Sequence, residues 1–489
     1  MGEQMLNDAM PSRKLAARWV IRGTLTVKTA LHLGGEGTNR VDMPVLRNAV
    51  DGRPLLPGST FAGALRSALA DRLAGYAKQE PSKVAELFGG MRGNESGSQS
   101  PLIVFDAFGE LPSGQGVEVR DGVSISPTTG VAEDHEKYDY EVLPPGTKFP
   151  VRVDLLVPAA QVEKSLLEHL AAALDAFSSA ERALGSRRSR GLGRVRAVWA
   201  ARRFELGTRR GWLEWILSDH EFPLAAEPDR TCVRDVLEAA CPENLKPLSL
   251  LGDARKRVVI ELVLRLDHDI LIRSPGTDPD APDVSHLHSG GFAVLPGTSL
   301  AGVMRAQALR IAKLVRDQKS DGPDWVDRLF GMRIEGRRPS GKFKPQASRL
   351  HIGEARLDNS RPQRQTRTAI DRFTGGVVDT ALFDEQTEVG GQATVRLELR
   401  NFENGELGLV LLVVKDLLDG SLAVGGSSSV GRGVLHGSAT VTWHDDVRAV
   451  ARTASIEPGK QPEADAAEEI DKAIHAFHDA PAIGIRVSP

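Results

Sequence analysis

The sequence predicts an α+β protein in which one domain is written twice, and a set of recurring landmarks carries that prediction. Leu56-Pro57-Gly58-Ser59-Thr60, followed by Gly63 and Arg66, returns as Leu295-Pro296-Gly297-Thr298-Ser299, followed by Gly302 and Arg305, a shift of 239 (296 − 57). Leu87-Phe88-Gly89 and Thr129-Gly130 return in the same order as Leu329-Phe330-Gly331 and Thr374-Gly375. A glycine-rich run from Gly185 to Gly193 returns from Gly425 to Gly433. A single shared dipeptide carries no weight, but landmarks in register across most of each half mark internal duplication.

Each element follows from its periodicity. Residues 17–33 read as a strand, with Leu25, Val27, Leu31 and Leu33 on one face and Arg22, Thr24, Thr26, Lys28 and His32 on the other. A loop rich in glycine and asparagine runs from Gly34 to Arg40. The Pro57-Gly58 turn launches a helix with Ser59 or Thr60 as N-cap and a stripe of Phe61, Leu65, Leu69 and Leu73. Its second-half stripe is Leu300, Met304, Ala308, Ile311 and Val315. Returning strands are expected at 102–107 and 350–356, then at 149–157 and 393–400. A second helix fits 160–179 through Val162, Leu166, Leu170, Leu174 and Phe177; its counterpart at 405–419 is shorter and less clear. The last strands are expected at 193–204 and 433–443. Two strand–helix–strand units in split order make a ferredoxin-like core in each copy, which is also the fold of the RNA recognition motif.

The expected organisation is a first domain at 15–204, a structured connector at 205–255, a second domain at 256–443 and a C-terminal tail at 444–489. Trp212, Trp215 and Cys232 make the connector too apolar for a flexible linker. The tail carries Glu463, Asp465, Glu468 and Glu469 on an isolated helix whose end is expected to be mobile. At 489 residues with 41 % hydrophobic content, the chain has room for several domains and no sign of wholesale disorder. A formal net charge of −3 excludes an indiscriminate polyanion binder, so any nucleic-acid groove must be local. Cys232 and Cys241 build no disulfide framework, which fits a reducing cytoplasm. No signal peptide or membrane span is read from the sequence.

The first glycine-rich loop combines Gly185, Gly191 and Gly193 with Arg187, Arg188, Arg190 and Arg194. Glycine admits close approach of the main chain to a phosphate, and arginine binds phosphate in bidentate fashion. The second loop keeps Gly425, Gly426, Gly431 and Gly433 and one arginine, Arg432. Neither ends in the Gly-Lys-Ser/Thr of a phosphate-binding loop. A solvated turn is the plain alternative; the repetition and the arginines favour contact with an RNA backbone.

Leu31-His32-Leu33-Gly34-Gly35, then Asp42-Met43-Pro44-Val45, then Leu55-Leu56-Pro57-Gly58-Ser59 with Gly63 and Arg66, resembles the RAMP superfamily of CRISPR systems. The likeness is greatest to the backbone (Cas-seven-like) subunits of type III effector complexes, here as a fused pair of the kind found in subtype III-D. It covers about 15–204 and 256–443. The resemblance implies two RAMP domains that line a guide RNA, with target RNA, a large polymerase-like subunit and other RAMP subunits as partners. It also implies a hairpin thumb in each copy, at 120–148 and 367–391. Tyr138, Tyr140 and Leu143 are the wedge candidates in copy one, and Val377, Val378, Leu382 and Phe383 in copy two, with ordinary hairpin packing as the alternative.

Arg66, Arg187, Arg188, Arg190, Arg194, Arg305, Arg364, Arg367, Arg372 and Arg432 are the candidate RNA contacts; Arg361 joins the cluster before the second hairpin. Catalytic family members cut target RNA with an aspartate in the first loop and a divalent metal, so the resemblance implies Asp42 with Mg2+ or Mn2+ and RNA phosphates. Asp283 is its counterpart, 13 residues before Pro296 (296 − 283) where Asp42 is 15 before Pro57 (57 − 42). Asp278 and Asp280 are rivals on the same loop, and His286 and His288 are read as bystanders. An RNA-binding scaffold without nuclease activity, a guide-processing RAMP endonuclease and a nucleotide-binding enzyme remain alternatives.

Overall fold

The structure is a computed structural model that describes residues 15–36, 41–90, 99–126, 131–133, 137–159, 161–223, 232–275, 281–319, 321–332, 346–444, 451–461 and 463–481. Thr129, Gly130, Gly276, Asp278 and Asp280 lie outside them, as does the end of the tail. The chain divides into two compact units: Met1–Glu118, Tyr140–Ser186 and Gly193–Arg255 form the first, and Val119–Asp139, Arg187–Leu192 and Lys256–Pro489 form the second. Two short pieces of the first half thus belong with the second unit, while the segment 205–255 belongs with the first.

In the first unit, β1 (Leu15–Val27) is followed by α1 (Gly58–Ala74), α2 (Ser82–Phe88), β2 (Leu102–Val104), β3 (Lys148–Pro158), α3 (Glu163–Ser178) and β4 (Val195–Glu205). The antiparallel sheet runs β2-β3-β1-β4, so the first strand lies at its centre and the last at an edge. Phe61 of α1 packs edge-on to Phe177 of α3 with centroids 5.4 Å apart and stacks on Trp199 of β4 at 6.5 Å. A side chain of this size contributes about 1.5–3 kcal/mol by leaving water. The helix begins at least two residues earlier than expected, since its N-cap is Pro57 where Ser59 or Thr60 was read. Pro57 is its N-cap and makes no side-chain bond; the Gly58 N–H donates to Asp106 Oδ1 at 2.7 Å. A β-carbon on Gly58 would lie 2.2 Å from the Val104 carbonyl oxygen, which is why the turn needs glycine. After β4 come two short helices, α4 (Arg209–Leu217) and α5 (Val233–Ala240), the latter buried through Val233 and Leu237.

The second unit repeats this order with β5 (Arg257–Leu266), α6 (Gly297–Val315), α7 (Gly322–Phe330), β6 (Leu350–Ile352), β7 (Gln392–Arg400), α8 (Asn404–Leu418) and β8 (Leu435–His444). Its core pairing is β6-β7-β5-β8, the order of the first unit, with β9 (Arg452–Ile456) added beyond β8. The tail helix α9 (Ala464–Asp479) is not isolated. Its Ala473 and Phe477 are buried, Phe477 lies edge-on to Trp325 at 5.2 Å, and Arg316 donates to the Phe477 carbonyl at 2.7 Å. Phe477 and Ala473 give the helix an apolar face, which is what the acidic residues on its other side had masked. Among the described residues no helix is long and apolar enough to cross a membrane.

Candidate nucleic-acid interface and acidic loops

In both units the chain beyond the central strand builds a small platform that carries an acidic loop. In the first, Leu31 bridges Leu143, Gly34 bridges Val45, and Met43 pairs with Tyr140 in parallel. Asp42 stands exposed immediately before Met43. In the second, Arg273–Pro275 pairs with Val284–His286, and Val284 pairs with Glu385 in parallel. Asp283 stands exposed immediately before Val284. The two aspartates therefore occupy the same place in the duplicated register although their loops differ in length. Asp283 Oδ2 accepts the Asp384 N–H at 3.0 Å.

His286 is buried, with Nδ1 accepting the Ile272 N–H at 3.2 Å and Nε2 facing the Val294 carbonyl at 3.0 Å. Burial pushes its pKa down to about 4, so the ring is neutral and both nitrogens are spent on the backbone. His288 instead faces the buried Glu388 carboxylate at 3.2 Å. Burial alone would raise the Glu388 pKa, but hydrogen bonds from His288 and Ser360 outweigh it and hold the carboxyl below its ordinary value. His32, read as polar-faced, is buried as well, with Nδ1 2.7 Å from the Glu141 carbonyl oxygen.

The glycine-rich loops share one backbone. Gly185, Arg187, Gly191 and Gly193 have positive φ, and so do Gly425, Ser427, Gly431 and Gly433 at the same spacing. Several N–H groups of these loops are already spent on the backbone. Gly193 N–H donates to the Ala30 carbonyl and Gly433 N–H to Asp269, both at 2.8 Å; Gly426 N–H donates to Leu271, Gly191 to Arg188 and Gly431 to Ser428. Gly185 is packed so that a β-carbon would lie 2.1 Å from the His32 carbonyl oxygen, and Gly425 likewise faces Leu271. These glycines lock the loop onto the end of the central strand.

The arginines divide by what already holds them. Arg432 is buried and bound to Glu385 at 2.8 Å, Asp269 at 2.9 Å and Gln365 at 2.9 Å, which removes it from any RNA surface. Arg66 makes a bidentate pair with Glu80 at 2.8 and 2.6 Å, and Arg305 binds Asp327 and the Gly331 carbonyl; both tie a long helix to the short helix after it. Arg190 donates to the Phe330 carbonyl at 3.0 Å, and burial together with the Arg305 charge lowers its pKa. Arg187 donates to the Tyr138 hydroxyl at 2.8 Å and lies over its ring. Arg188 is exposed and Arg194 is half-buried. Arg361, Arg364, Arg367 and Arg372 remain on the exposed hairpin Arg361–Ile370/Val377–Val389, where Arg364 pairs with Asp384 at 2.6 Å and Arg367 lies 3.4 Å from Glu385.

The same hairpin exposes Ile370, Phe373, Val377, Val378, Leu382 and Phe383. In the first half Tyr140 and Leu143 are buried, so they are core residues and not a wedge; Tyr138 is half-buried against Arg187. The exposed apolar residues of that region are Val119, Val123, Ile125 and Val131. Sequence reasoning also passed over Glu141, whose carboxylate accepts the Val45 N–H at 2.9 Å and lies 3.1 Å from Arg47. No motif announces it, because it sits 94–109 residues from the groups it binds; Arg47, itself polar and exposed, gave no sign of a distant partner.

The pattern of the RAMP superfamily matches residues 24–196 and again 269–436. The chain belongs to the RAMP superfamily. Both matches span an acidic loop and a glycine-rich loop, so the RAMP repeat follows the structural one. A relative from Enterococcus italicus described as "CRISPR system Cms endoribonuclease Csm3" is 31 % identical over 110 residues. That alignment takes in 21 % of this RAMP chain and 51 % of the relative, so the chain spans about half the length of the curated relative it matches.

Proposed function

We propose that this chain is a backbone subunit of a type III CRISPR ribonucleoprotein that binds guide RNA and cleaves complementary target RNA, as two fused RAMP domains of ferredoxin-like form. The observation that carries the reading is the recurrence of an exposed aspartate, Asp42 and Asp283, at one register position of a duplicated RAMP platform. The endoribonuclease description of the Enterococcus relative supports it. The exposed basic and apolar hairpin at Arg361–Val389 supports a thumb in the second domain, with Arg361, Arg364, Arg367 and Arg372 at phosphates and Leu382 and Phe383 against bases.

Among the described residues no group of three metal-ligating side chains stands together, so a lone carboxylate would share Mg2+ or Mn2+ with RNA phosphates. Such an ion would supply Lewis-acid stabilisation of charge at the scissile phosphate. The chain's own contribution is to hold Asp42 and Asp283 at fixed points along the target, each set by parallel pairing of the residue that follows it. The engaged Asp283 carboxylate favours a second reading for the second half, an RNA-ordering scaffold. Cytoplasmic location, subtype III-D and partnership with a large polymerase-like subunit and other RAMP subunits belong to the same proposal.

The test is substitution of Asp42→Ala and Asp283→Ala, singly and together, in the assembled particle, with complementary RNA as substrate. Loss of a distinct product with each single variant is the expected result. Full cleavage by the double variant would leave only the scaffold.

A further inference from the structure

We propose that Glu141 is the positioning residue of the first acidic loop, an inference that rests on Asp42 as the cleavage carboxylate. Each polar group of Glu141 is turned toward that loop or toward the strand end that precedes it. Its N–H donates to the Met43 carbonyl at 2.9 Å. Its own carbonyl faces His32 Nδ1 at 2.7 Å. One carboxylate oxygen accepts the Val45 N–H at 2.9 Å, and both lie 3.1 Å from Arg47 Nη2. Met43 is the immediate neighbour of Asp42, and Met43, Val45 and Arg47 are alternate residues of one extended stretch, so Glu141 holds Met43 through its main-chain N–H and Val45 and Arg47 through its carboxylate.

The carboxylate is well placed to do this. Its side chain is only 16 % exposed, and a charged acceptor makes a stronger bond to a backbone N–H than a neutral one. The anchored stretch begins at the residue beside Asp42, so movement of Glu141 moves the aspartate. The second acidic loop lacks the device. Gln386 stands at the position of Glu141, next to Glu385 as Glu141 is next to Tyr140, and pairs with Ser285. There Asp283 is tied directly to the Asp384 N–H. The two loops are therefore held by different chemistry, and Glu141 serves the first alone.

The experiment compares Glu141→Ala, Glu141→Gln and Asp42→Ala in the full chain assembled with guide RNA. Glu141→Ala is expected to slow the cut that Asp42→Ala abolishes by roughly 10- to 100-fold, the cost usual for removing a group that orients a metal-linked ligand. The cut assigned to Asp283 and the affinity for guide RNA are expected to stay unchanged, which a general structural defect would not allow. Glu141→Gln keeps an acceptor for the Val45 N–H and loses the charge tie to Arg47, so it is expected to restore part of the rate. In the metal-free chain, hydrogen exchange over residues 41–48 is expected to rise in Glu141→Ala while exchange in the central strand holds. A wild-type rate in Glu141→Ala, beside an abolished cut in Asp42→Ala, overturns the proposal. An intact cut in Asp42→Ala overturns the cleavage reading instead, and the exchange data then still report whether Glu141 holds the loop.

Discussion

Arg432 shows how a residue type misleads when its surroundings are unknown. In a glycine-rich loop it reads as a phosphate binder, yet its guanidinium is buried between Asp269 and Glu385. Both acids come from segments distant in sequence, so nothing near Arg432 announces them. His286 carries a similar lesson with a measurable consequence. Burial depresses its folded pKa to about 4 from the ordinary 6.5. As pH falls from 6.5 toward 4 the unfolded chain takes up a proton that the folded chain refuses, so stability is lost across that window and levels off below it. The loss attributable to this group is about 3 kcal/mol at most. Denaturant unfolding at pH 7, 5.5 and 4.5 should show a shallower acid decline in His286→Gln than in the parent. Identical slopes would mean the buried ring does not titrate in this way.

At the level of elements, the glycine-rich loops were found from sequence, and their spacing reports backbone demand more directly than ligand. Gly433 and Gly431 separate the two parts of that demand. Both have positive φ, but a β-carbon on Gly433 would lie 2.0 Å from the Val424 carbonyl oxygen, whereas around Gly431 nothing among the described residues comes within 4 Å. Gly431→Ala is expected to cost only the left-handed penalty of about 1–2 kcal/mol. Gly433→Ala should cost clearly more, read as a larger fall in Tm of the same preparation. Equal losses would show that backbone strain alone governs the loop. The strands and helices α1 and α6 were legible because one face is apolar and the other polar. Helix α8 was read in the right place, at 405–419, but less clearly, because Leu407, Leu409, Val410, Leu411, Val413, Val414, Leu417 and Leu418 bury it nearly all round. Its cover is α9: a β-carbon on Gly408 would lie 2.1 Å from the Ala473 carbonyl oxygen. A helix sandwiched in this way loses the periodic stripe that sequence reading needs.

For the whole chain, the duplicated order was legible, and the lending of first-half residues to the second unit was not. Arg120 belongs to the second unit and makes a bidentate pair with Glu354 at 2.5 and 3.2 Å, with both side chains almost fully buried. Sequence reading had no means of joining residues 234 apart. The pair also makes a test of whether the second unit needs this loan. Removing one partner of a buried ion pair leaves an uncompensated charge and typically costs about 3–5 kcal/mol, whereas replacing both with apolar residues of similar size is often close to neutral. Arg120→Met is therefore expected to destabilise the unit containing Lys256–Pro489 by that amount. Glu354→Leu should cost a similar amount, because it leaves the buried Arg120 guanidinium uncompensated. The double variant should recover most of the Arg120→Met loss, giving a coupling energy well above what a surface pair supplies. Additive losses would mean that the carboxylate and the guanidinium are each solvated on their own. In that case the pair does not hold Val119–Asp139 to the second unit.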